Sequence, residues 1–512
     1  MSSTKLDATK YKKTKIIATI GPASEEKLQD ILSSGANGIR LNFSHNTPAW
    51  HIGVAKKARA IAKKLDRSVA IIQDLPGPKI RIGKLAPGGK QIQAGEILKF
   101  KYEPQQASGM IPIQYDFSKE VKKGDRLFLR DGQIQTIIQS NAEGVIAVKA
   151  INSGKILSDH GINLPDTIFK NGVLSEKDKK HLTISAKLDA DYVAVSFAHT
   201  AKDIDDVRKE LAKHKADAKI IAKIETRSAV DNLEDIIKTS DALMIARGDL
   251  AIEIGPEQVP IVGREIILLA RRYKKPVIMA TQMLESMMTS TTPTRAEAND
   301  VATAVSLGVD CLMLSGETAI GQFPIETIQM MKRIILSAEQ YFVTTSMAVE
   351  LIEDSEDVVA VPEADKPEGL LGRLGQKTRL VFSREPVVSG KITSNSAQTS
   401  VSFAAITLAE QVRAKIIIAE TMTGSTALSI ASLRPTAPLV VLSPNQKVCN
   451  QCSILWGSKA FLTKRTKDYT ASIIRQLKQR SGVKEGDWVV EAFGKYRGVA
   501  GGTDTVRLLE VK

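Results

Sequence analysis

The chain has 512 residues with 71 Lys and Arg against 57 Asp and Glu, a formal charge of +14, and only 4% aromatic side chains. A chain of this length is expected to hold two to four domains with large cores. Basic residues interspersed with acidic ones, and so few aromatics, give little support to a stacking platform for nucleic acid, and the excess positive charge fits small anionic substrates equally well.

No apolar run reaches the roughly eighteen residues a membrane span needs, and Met1 to Lys13 is polar and lysine-rich without an apolar core. Neither membrane insertion nor export is expected. Cys449 and Cys452 form one unaccompanied Cys-x-x-Cys, half of a zinc site, so the three cysteines read as reduced thiols in a cytoplasmic protein.

In chain order, Lys15 to Gly21 reads as a strand, and Ser24-Glu25-Glu26 offers a serine cap and acidic first turn for the helix after it. Gly38 to Phe43 is the next strand, with Arg40, Asn42 and Ser44 at alternate positions of one face and His45 beyond them. A helix follows from about Pro48 to Leu65, its basic outer face explained by solvation. Val69 to Gln73 is the third strand, and Asp74-Leu75-Pro76-Gly77-Pro78-Lys79-Ile80-Arg81 then breaks the pattern with two prolines and a glycine.

From about Lys79 to Asn171 the texture becomes short alternating segments punctuated by glycine, the signature of a small all-β domain inserted in a strand-to-helix loop. Ser175 then opens a helix. Strands recur at Tyr192 to Phe197, Lys219 to Glu225, Ala242 to Ala246, Pro276 to Ala280 and Cys311 to Leu314. With the first three these make eight strand–helix units, which predict an α/β chain built on a closed TIM-type (β/α)8 barrel with its site at the carboxyl ends of the strands.

Charge gathers at those ends. Lys223 and Glu225 share one face of their strand while Ile224 points into the other layer, and Arg247 and Asp249 flank Gly248 at the end of the next. Structural ion pairs would explain one such strand end; two in succession point to chemistry. Glu225 and Asp249, as carboxylates at neighbouring strand ends, suit a hard cation such as Mg2+ that takes oxygen ligands and leaves positions for substrate. Strand seven ends in Thr281 and Gln282, strand eight in Ser315 and Glu317. Arg295, Glu297 and Asp300, which open the helix between them, are read as structural.

Six segments, in order, carry a specific likeness: Lys15 to Ala23, Arg40 to His45, Lys223 to Glu225, Ala246 to Leu250, Ala280 to Met287 and Leu314 to Ala319. Over most of its length the chain resembles the pyruvate kinases. The resemblance implies transfer of the phosphoryl group of phosphoenolpyruvate to ADP, giving pyruvate and ATP, with Mg2+ or Mn2+ as cofactor, a homotetramer, and an inserted lid domain.

It implies the following roles. Lys223 stabilises the transferring phosphoryl and the enolate, Arg40 clamps the phosphoryl, and Glu225 and Asp249 hold the metal. Ala246, Gly248 and Asp249 lie against the substrate carboxylate, whose binding by backbone N–H groups requires a short helix there. Thr281 and Ser315 help deliver the proton to the enolate carbon through water, and His45 and Arg81 face the nucleotide. Another metal-dependent phosphoenolpyruvate or pyruvate enzyme, aldolase-like, on the same barrel is the alternative, and it would lack the lid and the nucleotide side. A catalytically silent binding protein is opposed by Lys223, Glu225, Asp249 and Thr281 being intact.

Three departures from the family pattern stand out. Potassium-dependent members carry glutamate where this chain has Lys79, and an ammonium there would supply a fixed charge that makes K+ dispensable; Asn42, Ser44, Asp74 and Leu75 are the remaining members of that site. His160 replaces a lysine common at the nucleotide. The stretch 346–396, with the acidic run Glu350 to Asp357, is longer than the usual connection.

The expected division is 1–77 with 173–345 for the barrel, 78–172 for the lid, 346–396 for the connection and 397–512 for a C-terminal α/β domain. In that last domain Thr421, Thr423, Gly424, Ser425 and Thr426 precede a helix as a phosphate cradle. Lys495 and Arg497 would supply cations to a phosphorylated sugar or nucleotide effector.

Overall fold

The computed structural model describes residues 11–103, 109–130, 132–167, 173–350, 394–463, 469–479, 482–494 and 502–512. Eight parallel strands close into a barrel in which every strand pairs with its neighbours in sequence. They are β1 (Lys15–Thr19), β2 (Gly38–Asn42), β3 (Ala70–Asp74), β4 (Tyr192–Val195), β5 (Lys219–Ile224), β6 (Ala242–Ala246), β7 (Val277–Ala280) and β8 (Cys311–Leu314). Each is an almost uninterrupted apolar run, because one face packs inside the barrel and the other against the surrounding helices.

The alternation is strict. Ile17, Ile72, Ala194, Ile221, Met244, Ile278 and Met313 fill the interior, while Ile16, Ile71, Val193, Ile220, Ile245 and Leu312 meet the helices. Ile454, from the C-terminal part of the chain, joins the interior cluster. The Tyr192 hydroxyl donates to the Gln451 carbonyl at 2.9 Å, fixing that part to the barrel. Cys311, Cys449 and Cys452 are all buried and unpaired.

Between β3 and β4 the chain forms a second core of its own, with Phe100, Phe117, Leu127, Ile138 and Val148. Its six-stranded sheet runs Ile162–Asn163, Arg126–Leu129, Ile134–Ala142, Val145–Ala150, Ile97–Tyr102, Ile111–Ile113. Arg81 pairs with Gly161 and Ile82 with Ile113, so one short segment spans the two edges and nearly closes the sheet. The C-terminal sheet has five strands, the last, Thr505–Glu510, antiparallel to its neighbour. No helix among the described residues is long and apolar enough to cross a membrane.

Three local expectations change. The helix after β1 begins at Leu28 and Ser24 does not cap it; the Ser24 Oγ instead accepts from the Gly21 N–H at 3.2 Å, closing a turn first. β5 ends at Ile224, one residue before Glu225. Arg247 and Asp249 are not at a strand end: β6 stops at Ala246 and both lie in the first turn of the helix Arg247–Ile254, where the positive end of the helix favours an acidic residue. Ser175 does cap its helix, reciprocally with Asp178.

Helix Arg247–Ile254 also carries Glu253 to the seam between barrel and insert. Glu253 is 8% exposed and accepts from the Arg227 N–H at 3.4 Å, with Arg126, Arg227 and Asp166 as its charged neighbours. Burial pushes its carboxyl up to about 7, more than Arg227 and Arg126 pull it down. The folded chain therefore holds the Glu253 proton through a pH range in which the unfolded chain has released it. Stability falls as pH rises through that range, by about 3 kcal/mol in all. Urea unfolding at pH about 5 and about 8 is expected to show Glu253→Gln gaining on the parent at the higher pH; parallel losses in the two proteins would contradict this.

Candidate active site

Counting by two along the strands from the barrel-filling side chains leads to one cluster. Ile17 precedes Thr19, Gly38 precedes Arg40, Ile72 precedes Asp74, Ala194 precedes Ser196, and Ile221 precedes Lys223 and Glu225. Arg40 grips Asp74 Oδ2 through Nε at 2.6 Å and Nη2 at 2.5 Å, and its Nη1 donates to the Thr19 hydroxyl at 3.1 Å. Lys223 Nζ stands 3.6 Å from Asp74 Oδ1 and 3.3 Å from Glu225 Oε2. It donates to Ser196 Oγ at 2.6 Å, and that hydroxyl donates to the Leu75 carbonyl at 2.7 Å. Glu225 Oε1 accepts from the Phe197 N–H at 2.7 Å.

The electrostatics follow from burial set against pairing. Burial works to raise the Asp74 carboxyl, but Lys223 and Arg40 outweigh it and hold Asp74 below its usual range. Burial likewise works to strip the proton from Lys223, and Asp74 and Glu225 outweigh it, so the ammonium is held above its usual range. Glu225 goes the other way. Burial pushes it up, Lys223 compensates only in part, and the nearby Asp249 adds to the rise.

That imbalance bears on a metal. Glu225 Oε2 is buried and accepts no hydrogen bond, since Lys223 approaches it without hydrogen-bond geometry. A buried carboxylate oxygen compensated only in part, beside a second carboxylate, gains from a further cation. Among the described residues no three His, Cys, Asp or Glu side chains gather into a cage. The residues thus fit a hard divalent ion held by two carboxylates, with its other positions left to water and substrate oxygens.

Beyond β7 the backbone is strained. Thr281 and Gln282 adopt φ of 70° and 52°, conformations disfavoured without a Cβ-free residue. Arg247 holds them there: its guanidinium donates to the carbonyls of Ala280 at 3.3 Å, Thr281 at 2.5 Å and Gln282 at 3.2 Å, and is itself paired with Asp300. The strain aims the Thr281 hydroxyl at the Gly248 N–H, which donates to it at 2.9 Å. At the end of β8 the buried Glu317 accepts from the backbone N–H groups of Ser315 at 2.7 Å and Leu284 at 3.2 Å.

Arg40, Asp74, Lys223, Glu225 and Asp249 are thus brought together, with Ala246, Gly248 and Thr281 beside them. Lys79 reaches in from the insert, its Nζ 3.8 Å from Asp249 Oδ1. Asn42 Oδ1 accepts from the Ser44 N–H at 3.1 Å and so shapes its own turn; Leu75 is buried. His45 is exposed, and Arg81 donates to the Asp159 carbonyl at 2.8 Å. His160 accepts at Nδ1 from the Leu157 N–H at 3.1 Å, a turn within the insert.

Glu297 caps its own helix and also binds Ser286, a structural part like that of Asp300. In the C-terminal loop Thr421 Oγ1 accepts from the Gly424 N–H at 2.9 Å, Thr423 and Ser425 lie 3.2 Å apart, and Thr426 pairs with Thr503 at 2.6 Å. Lys495 and Arg497 lie outside the described residues.

Ser196, Thr19 and Glu317 went unmarked as site residues in the sequence. The first two carried a signal, since each continues the two-residue alternation one step past the barrel core. Glu317 had only its place after strand eight.

Comparison with known proteins agrees with this geometry. Residues 11–328 match the family profile described as "Pyruvate kinase, barrel domain" and residues 399–509 the one described as "Pyruvate kinase, alpha/beta domain". A pyruvate kinase of Agrobacterium vitis is 35% identical over 98% of this chain and 98% of its own. Pyruvate kinase 2 of Synechocystis sp. is 33% identical over 98% of this chain and 80% of its own. The crystal structure of a pyruvate kinase from Cryptosporidium parvum superposes with a TM-score of 0.83 at 28% identity, covering 99% of this chain and 98% of that one. With both profiles matched in order along one chain and relatives aligned over nearly all of it, the chain belongs to the pyruvate kinase family and is a phosphotransferase.

Proposed function

We propose that the cluster of Arg40, Asp74, Lys223, Glu225 and Asp249 carries the family's reaction in this chain: the phosphoryl group of phosphoenolpyruvate passes to ADP, giving pyruvate and ATP. The observation that carries this reading is the buried Lys223 ammonium, held charged between Asp74 and Glu225 at the carboxyl end of the barrel. Phosphoryl transfer asks a protein mainly to position its reactants and to neutralise charge on nonbridging oxygens.

Glu225 and Asp249 would hold Mg2+ or Mn2+, which when bound supplies positive charge against the substrate's carboxylate and phosphoryl oxygens. Arg40, locked by Asp74 and Thr19, presents a cation in a fixed orientation to the phosphoryl group. As the bond from phosphorus to the enol oxygen breaks and that to the ADP β-phosphate oxygen forms, Lys223 faces both the moving phosphoryl and the enolate it leaves. The first turn of helix Arg247–Ile254 would offer the substrate carboxylate its backbone N–H groups, that of Gly248 only on release from the Thr281 hydroxyl it now meets. A proton then reaches the enolate carbon through water ordered by Thr281, with Ser315 beside it, because a hydroxyl alone is a poor acid.

His45 and Arg81 are assigned to the nucleotide. Lys79, near Asp249, would stand in for K+. The inserted domain, about 78–172, would act as the lid. The loop Thr421 to Thr426, with Lys495 and Arg497, is assigned to a phosphorylated effector, and a homotetramer is the expected assembly. The buried, unpaired cysteines support a cytoplasmic setting.

Pyruvate formation with Mg2+ in sodium buffer free of potassium is expected to run near its full rate, and Lys79→Glu to make it depend on added K+. Activity that appears only with K+ in the parent chain would overturn the role of Lys79, and none in either buffer the reaction itself. Ser196→Ala removes the hydroxyl that orients Lys223 and is expected to lower kcat roughly tenfold to a hundredfold. The melting temperature should stay near the parent's; an unchanged kcat would show that Ser196 does not position the lysine.

A further inference from the structure

Behind the two strands that join insert to barrel lies a cavity of about 500 Å³, within the size range of small-molecule sites. The insert contributes Lys79, Ile80, Ile162 and Asp166 to it, and the barrel contributes Phe197, His199, Arg227, Ser228, Asp231 and Glu253. Ile80 and Ile162 neighbour Arg81 and Gly161, which pair with each other. Arg81, the residue assigned to the nucleotide, is not among the residues that line the cavity.

Its walls carry buried polar atoms that make no hydrogen bond: Asn163 Oδ1, Thr167 Oγ1, His199 Nδ1 and Arg227 Nε. Asn163 is 5% and Thr167 7% exposed. A buried polar group left unmatched costs about 1–3 kcal/mol, and four around one cavity are a concentration that packing alone does not explain. Asp166 and Glu253 act on the Arg227 charge only from a distance, and neither bonds its guanidinium. Asp166 is taken by Arg126, through the Arg126 N–H at 3.0 Å, Nε at 2.9 Å and Nη2 at 2.6 Å. Glu253 faces the Arg227 backbone N–H. Between these polar ends the wall is apolar, formed by Pro78, Ile80, Ile162, Leu164 and Phe197.

We infer that this cavity, which adjoins the catalytic cluster at Lys79 and Phe197, is a second binding site, for a small hydroxy-substituted organic acid with an apolar ring. Its carboxylate would accept from Arg227, its ring would fill the apolar middle, and its hydroxyl would donate to Asn163 or Thr167. Because the walls come from both insert and barrel, such a ligand binds the arrangement of the two parts and not either alone. Linkage then couples it to any substrate that shifts that arrangement. The inference rests on the cavity and its unmatched groups and does not depend on the roles assigned to Lys223 or Lys79.

The test uses 4-hydroxybenzoate as probe, titrated calorimetrically into the full chain, with 4-hydroxybenzyl alcohol, which lacks the carboxylate, as its control. Saturable one-to-one binding is expected, weakened roughly tenfold or more by Arg227→Gln and by loss of the carboxylate, as for a charge-assisted pair. Ser228→Phe, which fills the cavity from the barrel side, is expected to abolish it. Circular dichroism and melting of each variant separate lost binding from lost folding, and an unfolded variant yields to the other. Phosphoenolpyruvate with Mg2+ is expected to change the affinity for the probe without excluding it. Absence of saturable binding, equal binding by the Arg227→Gln chain, or strict competition with phosphoenolpyruvate would each overturn the site. None of these results bears on whether the chain forms pyruvate.

Discussion

Two cations and two carboxylates meet on the floor of the barrel mouth, and none of them could be buried there alone. Taking an ion out of water costs several kcal/mol, and removing one partner of a buried pair about 3–5 kcal/mol. Asp74 sits between Arg40 and Lys223, and Lys223 sits between Asp74 and Glu225. The chain of pairing orders Arg40, fixes the lysine and leaves Asp74 Oδ1 and Glu225 Oε2 beside the ammonium without a hydrogen bond. Strands β2, β3 and β5 must end at the same height for this to happen, so the barrel's register and the site's charge balance are one constraint.

Other parts of the molecule serve that constraint from a distance. Ile454 and the Gln451 carbonyl pack the far end of the barrel from the C-terminal part, so the interior is a filled core on which the charged layer rests. The clamp of Arg247 on the carbonyls after β7 keeps Thr281 in a left-handed conformation against a cost of order 1–3 kcal/mol. Asp300 holds the clamp. Asp300, read as structural in the sequence, thus helps to set the direction of a hydroxyl proposed to act on the substrate.

Much of this was legible before the structure. The apolar runs announced eight buried strands, the Pro-Gly-Pro break marked where the insert leaves the barrel, and Lys223 with Glu225 marked the site by sharing one strand face. Strand ends were less legible, because a parallel strand stops where its carbonyls find other partners, which composition does not encode. Asp249 looked like a strand-end carboxylate and proved to open a helix. Ser24 looked like a cap and instead closed a turn on Gly21. Asp74 was grouped with Asn42 and Ser44 as the family's potassium site, yet its side chain is engaged by Arg40 and Lys223 across the barrel mouth. Such long-range pairing has no local signature.

The claim on which the rest depends is that the buried Lys223 ammonium neutralises charge on the reacting phosphoryl and enolate. The direct measurement is single-turnover pyruvate formation by Lys223→Gln, with phosphoenolpyruvate binding and melting followed in parallel. The account predicts a folded protein that still binds phosphoenolpyruvate with its metal but turns over roughly a hundredfold to a thousandfold more slowly, as for the loss of one preorganised charge partner. Turnover close to that of the parent chain, with binding intact, would contradict it.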